Sequence, residues 1–124
     1  MWLNIDLRSP SPIYDQIKRG VREEIMKGNL NEEDTLPSIR ELASQIRVNP
    51  NTVARAYREL EMEGTIMARQ GLGYIVVSNE EQVRDSVFDN LSGELREPIL
   101  RLKKSGIPFE KLLEVIKEIW KDQN

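Results

Sequence analysis

The sequence predicts a mainly α fold with a small β wing, an N-terminal winged helix-turn-helix followed by a C-terminal two-helix dimerisation unit. Three observations predict it. Ser38-Ile39-Arg40-Glu41 has the form of a capping box, and Asn49-Pro50 opens a second helical stretch just after the first one's apolar pattern ends at Ile46. Gln70-Gly71-Leu72-Gly73 then separates two β-prone stretches. Beyond residue 78 the apolar residues fall at helical spacing. The chain accordingly divides into a winged helix-turn-helix domain over 1–78 and a short helical tail over 79–124.

The N-terminal WLNIDL alternates apolar and polar residues like a short strand, and reads as an edge strand or an arm near a dimer interface. Ser11-Pro12 is expected to open the first helix, with Ser11 as its cap and Pro12 at its first position. Ile13, Ile17, Val21 and Ile25 recur every fourth residue as a buried stripe. Gly20 lies near that stripe and suits close helix packing, and Gly28 is the stop. NLNEEDT is a polar connector.

In the second helix Ile39, Leu42, Ala43 and Ile46 face inward while Ser38 and Glu41 cap one another. Arg47-Val48-Asn49 is the turn. In the third helix Val53, Ala56, Tyr57 and Leu60 share one side, and Asn51, Arg55 and Arg58 lie opposite with Ala54 beside them. Gly64 stops it. Thr65 to Val77 is a hairpin with Arg69 and Gln70 at its tip. In the tail, Val83, Val87, Phe88, Leu91, Leu95, Ile99 and Leu102 form one stripe, with a kink or break expected at Pro98. Ser105-Gly106 ends that helix. Pro108 starts another, with Phe109, Leu112, Leu113, Ile116, Ile119 and Trp120 on one face.

Composition bounds the function. The chain has 124 residues, 39% hydrophobic and 31% charged, without an apolar run long enough to span a membrane. MWLNIDLRSPSP has neither a basic start nor a long apolar core, so no signal peptide is expected and the cytoplasm is the expected location. There is no cysteine and no histidine, which argues against zinc, disulfides and histidine catalysis. No metal or cofactor is expected. The net charge of −3 speaks against a nucleic-acid partner, but what counts is which face carries the cations. Between Ser38 and Tyr74 there are five Arg (40, 47, 55, 58, 69) against four Glu (41, 59, 61, 63). Such a chain should bind few phosphates, with a modest salt slope and an affinity that depends on dimerisation.

Arg40 stands in the first turn of its helix, where a cation opposes the helix dipole. Phosphate is a natural partner for it; a solvated surface charge is the plain alternative. Asn can bind adenine and Arg guanine bidentately, so Asn51, Arg55 and Arg58 are the candidates for major-groove contact. Arg69 and Gln70 would reach the minor groove or the backbone from the wing. The wing is no phosphate-binding P-loop, because the Lys-Ser/Thr pair and the following helix are missing. Two tail helices cannot enclose a core alone. Their stripes, centred on Phe88, Leu91, Leu95, Leu112, Leu113, Ile116 and Trp120, are expected to meet a second chain; capping the winged helix in the same chain is the alternative.

Pro12-Ile13-Tyr14, Gln16-Ile17, Leu36-Pro37-Ser38, Arg40-Glu41-Leu42-Ala43, Asn51-Thr52-Val53, Ala56-Tyr57, Leu60, Glu63-Gly64 and Gln70-Gly71 together resemble the GntR family of bacterial transcription regulators. The likeness covers roughly residues 8 to 78. The short tail and VNPNTVARAYRELE resemble its YtrA-like subfamily, which carries a two-helix dimerisation unit and no large effector domain. The resemblance implies a homodimeric repressor, commonly of an operon with its own gene and a transporter. It also implies DNA contacts at Arg40, Asn49, Thr52 and Gly71. Two family arginines have no counterpart, since Pro50 and Ala54 stand there, so base readout shifts to Asn51, Arg55 and Arg58. Arg47 occupies a turn position often held by Gly, and would bear a strain of roughly 1 kcal/mol if left-handed. Glu33, also where Gly is frequent, is expected to be harmless.

A sequence-specific dimer on a palindromic operator in double-stranded DNA is the leading reading. A small-molecule effector, if there is one, would bind at the dimer seam. A winged helix that binds protein is the second reading, but its outer helix face should be apolar or acidic, and here it holds Asn51, Arg55 and Arg58. An enzyme is the third and weakest, because no nucleophile–base pair is visible.

Overall fold

The structure is a computed structural model that describes residues 3–122. Five helices and one hairpin follow one another as α1 (Ile13–Met26), α2 (Ile39–Ile46), α3 (Pro50–Met62), β1 (Ile66–Arg69), β2 (Gly73–Val76), α4 (Glu80–Lys104) and α5 (Phe109–Trp120). Two compact units divide the chain, one ending at Ser86 and the other beginning at Val87. Among the described residues no helix is long and apolar enough to cross a membrane.

In the first unit α3 is central and packs on α1, α2 and β1. The apolar periodicity explains why. Ile17, Val21 and Ile25 of α1, Leu42 and Ala43 of α2, and Val53, Ala56, Tyr57 and Leu60 of α3 are all buried. Removing the larger of these side chains, Val and upward, from water supplies roughly 1.5–3 kcal/mol each. Tyr57 adds direction to this packing. Its hydroxyl donates to the Pro37 carbonyl at 2.7 Å, and its ring meets Tyr74 of the wing edge-on at 5.0 Å.

Several local expectations need correction. Ser11 does not cap α1: Pro12 holds that position with no side-chain bond, and the Ser11 carbonyl accepts from Gln16 Nε2 at 3.0 Å. WLNIDL forms no strand over its described residues, and Trp2 lies outside them. This segment is an arm instead. Gln16 clamps Asp6 by accepting from its N–H at 2.8 Å and donating to its carbonyl at 2.9 Å. Gly20 therefore serves the arm rather than another helix, since a Cβ there would lie 2.0 Å from Leu3 Cδ1.

The hairpin is antiparallel, pairing Ile66 with Val76 through Arg69 with Gly73. The polar connector joins it. Thr35 bridges Ile75, the Glu33 N–H donates to the Val76 carbonyl at 2.8 Å, and the Val76 N–H donates to the Asp34 carbonyl at 2.9 Å. That pairing forces Glu33 to a φ of 74°. Glu33 is therefore not harmless: it carries left-handed strain of about 1 kcal/mol. Arg47 carries the same burden at a φ of 57°.

The first unit extends past residue 78 because α4 starts inside it. Asn79 and Gln82 cap each other's N–H groups, Val83 is buried, and Arg84 donates to the Met26 carbonyl. Helix α4 then runs unbroken through Pro98. A break is avoided because the proline removes one donor at an exposed position, where water can meet the freed Glu94 carbonyl. In the second unit Gly106 terminates α4 and Pro108 precedes α5.

Candidate nucleic-acid interface

Helix α2 begins with the full reciprocal cap. The Glu41 N–H donates to Ser38 Oγ at 3.0 Å, and the Ser38 N–H donates to Glu41 Oε1 at 3.2 Å. This bond occupies Ser38's acceptor and leaves its hydroxyl proton free. Arg40 projects from the first turn, exposed and without an ion-pair partner among the described residues. Arg47 closes the helix in the left-handed region, and its N–H donates to the Ala43 carbonyl. A sharp reversal results, bringing Asn49 to the start of α3.

Asn49 Oδ1 accepts from the Asn51 N–H at 2.8 Å, and Pro50 takes the first helical position. The cap orients Asn49 and leaves its amide N–H groups as donors. Asn51 and Arg58 are exposed, with no side-chain partner among the described residues; Thr52 is half-buried. At the wing tip Gln70 and Gly71 are exposed, and Gly71 has a φ of 80°, a conformation that costs other residues strain. Arg69, at the end of β1, is bound to Glu33, with Nη1 donating to Oε2 at 2.8 Å.

Arg55 is the candidate whose surroundings the sequence reading missed. Its guanidinium carbon lies 3.6 Å from the centre of the Tyr14 ring, and Nε donates to Glu59 Oε2 at 3.0 Å. Both contacts leave its outer N–H groups available. The hold belongs to a ladder between α1 and α3. Tyr14 meets Arg55, Lys18 meets both Glu59 and Glu63 at 2.8 Å, and Arg22 meets Glu63. Spacing was the available signal: Tyr14, Lys18 and Arg22 match Arg55, Glu59 and Glu63 at four-residue steps, as two helices running the same way require. The third helix's acidic half is thus neutralised by α1, apart from Glu61, which accepts from the Ala68 N–H at 3.1 Å.

The ladder fixes a pH dependence. Burial would lower the Lys18 ammonium, but its bonds to Glu59 and Glu63 outweigh that and raise it above 10.5. Bonds from Lys18 and then Arg55 lower the Glu59 carboxyl below 4.5. A depressed carboxyl stabilises the fold above its unfolded value, and that contribution is lost as pH falls through the folded one. Urea midpoints are therefore expected to drop as pH falls below 4.5, and Glu59→Gln should flatten that limb. An acid limb identical in wild type and variant would remove Glu59 from the account.

The chain is similar to known proteins. Residues 13–76, more than half of the chain, match the bacterial regulatory proteins of the gntR family. The HTH-type transcriptional repressor YtrA of Bacillus subtilis (strain 168) is 41% identical over 121 residues, or 97% of this chain and 93% of that one. The crystal structure of a transcriptional antiterminator from Listeria monocytogenes EGD-e is 35% identical with a TM-score of 0.72, covering 96% of this chain and 90% of that chain. AraR(DBD), solved in complex with operator ORX1, is 26% identical with a TM-score of 0.56 over 62% of this chain and 99% of its own. A capped helix, a left-handed turn, a donor-bearing helix and a glycine-tipped wing stand here within one matched span, and the chain belongs to the gntR family of bacterial regulatory proteins.

Proposed function

We propose that the chain is a sequence-specific DNA-binding transcription regulator, acting in the cytoplasm as a homodimeric repressor on a palindromic operator of its own transporter-type operon. One observation carries the reading. The buried face of α3 is fixed by Tyr57 and by the ladder to α1, while its outer face presents Asn51 and Arg58 without competing partners among the described residues. A rigid helix with open donors suits direct readout in a major groove. Arg40, the Asn49 amide and Arg69 with Gln70 flank it as backbone contacts, and Thr52, Ser38 and Gly71 lie close enough in sequence to add to them. The function is one of binding and calls for no catalytic group. AraR(DBD), similar in fold, was solved with an operator, which supports the same use of this domain.

The second unit supports the dimer. None of its described residues is buried, and Phe88, Leu91, Leu95, Phe109 and Ile119 are each more than half exposed. Apolar area of that extent is rarely left open to water, and a second copy supplies a matching stripe. Half-sites should lie about 10 bp apart, centre to centre, or a multiple of that.

Fluorescence anisotropy with a duplex from upstream of the chain's own gene tests the reading. Asn51→Ala should weaken operator binding by ~1–3 kcal/mol and leave scrambled duplex unaffected, whereas Arg40→Ala should weaken both. Equal affinity of the unaltered chain for operator and scrambled duplex would end the claim of sequence specificity.

A further inference from the structure

Two of the arginines facing the proposed DNA surface are held by carboxylates, and the two holds differ. Glu59, which holds Arg55, is itself neutralised by Lys18 and belongs to the helix ladder. Glu33, which holds Arg69, has no second cation among the described residues. Its side chain is 69% exposed and that of Arg69 is 43% exposed, so the pair lies open to solvent. The carboxylate comes from far along the chain, 36 residues from its partner. It is delivered by the wing's own pairing, because the Glu33 N–H is bonded to the Val76 carbonyl. That backbone has a φ of 74°, which a glycine would adopt without strain. A glutamate there adds strain and puts an anion on the wing's cation.

A carboxylate and a phosphate offer the guanidinium the same kind of paired oxygen acceptors. We propose that Glu33 is an internal phosphate mimic: it occupies Arg69 in the free chain and must be displaced when the wing meets a DNA backbone, so Glu33 sets the affinity and salt dependence of binding. This inference rests on the DNA-binding reading above. The competition acts on every duplex alike, because phosphate contacts carry no sequence information. An exposed ion pair is screened by salt, so the competitor weakens as salt rises and the unaltered chain loses affinity less steeply.

The test is a double-mutant cycle on the full chain with Glu33→Gln, Arg69→Gln and the pair combined. Gln keeps the size of Glu33 and its demand on the backbone, and at position 69 it removes the cation while leaving a polar side chain. Anisotropy titrations would use a labelled duplex from upstream of the gene and a scrambled one, from about 50 to 200 mM salt. Glu33→Gln should tighten binding to both duplexes about threefold for each wing engaged at low salt, with the gain shrinking as salt rises. In the Arg69→Gln background the same change should do nothing. No gain from Glu33→Gln while the unaltered chain binds would overturn the mimic alone. An equal gain in both backgrounds would also overturn it, since Glu33 would then only repel phosphate at a distance. If neither the unaltered chain nor Glu33→Gln bound any duplex, the DNA reading would fall and the mimic with it.

Discussion

Ile116→Asp is expected to turn the protein into a monomer that sediments near 14.4 kDa rather than at twice that mass, and to lower operator affinity by ~100-fold or more. Ile116 lies on the apolar face of α5 with 42% of its surface exposed, beside Ile119 at 63% and Trp120 at 86%. On α4, Phe88, Leu91, Leu95, Ile99 and Leu102 make a second stripe. If two copies cover these stripes, a carboxylate at position 116 must either lose its hydration, which costs several kcal/mol, or hold the surfaces apart. Two half-site contacts joined in one particle gain an effective concentration in the millimolar range, and a monomer forfeits it. The winged-helix unit should be untouched, because the altered residue lies in the unit that begins at Val87. Thermal unfolding of that unit therefore separates loss of assembly from loss of fold. A variant that stays dimeric would move the interface away from this face, and a monomer with full operator affinity would remove dimerisation from the mechanism.

Legibility followed the physics of each element. Buried helix faces were plain, because burial imposes a period that composition cannot hide: the spacing of Val53, Ala56, Tyr57 and Leu60 places them inward, and all are buried. The capping box and the Asn49-Pro50 start were plain too, since each is a local bond between residues at fixed spacing. Less was legible where a bond joins distant segments. Nothing local to Glu33 announces that the connector pairs with β2, so neither its φ nor its hold on Arg69 was foreseen. The arm misled for a related reason: alternation in WLNIDL has the period of a strand, but Leu3 found its neighbour at Gly20 and Asp6 its partner in Gln16. Of the proposed interface, the outward position of Asn51, Arg55 and Arg58 was legible. The stacking of Arg55 on Tyr14 was not, as it requires the relative direction of α1 and α3.

Tyr57→Ala is expected to cost ~3–5 kcal/mol, enough to leave a domain of ordinary stability largely unfolded near physiological temperature. Tyr57 is fully buried, and its ring joins three parts of the unit. It packs within α3, meets Tyr74 of the wing, and through its hydroxyl ties down the Pro37 carbonyl just ahead of the α2 cap. Alanine would leave a cavity where these parts converge, and would orphan that carbonyl. Tyr57→Phe separates the two effects: the ring stays, only the bond to Pro37 is lost, and the cost should be ~1–2 kcal/mol. Pro37 precedes Ser38, and Arg40 stands in the turn they initiate, so the phenylalanine variant should also loosen the proposed phosphate contact at Arg40. Its operator affinity should fall modestly while Asn51→Ala keeps its full effect in the same background. Burial, and then the charge of Glu41, raise the phenol well above its ordinary 10.0. The folded chain therefore keeps the proton that the unfolded chain gives up, and stability declines as pH rises past that value. Urea titrations of the three proteins at neutral pH settle the ranking. A Tyr57→Ala variant within about 1 kcal/mol of the unaltered chain, well below the cost of a lost buried aromatic, would mean the wing and helix α2 are held by something other than this ring.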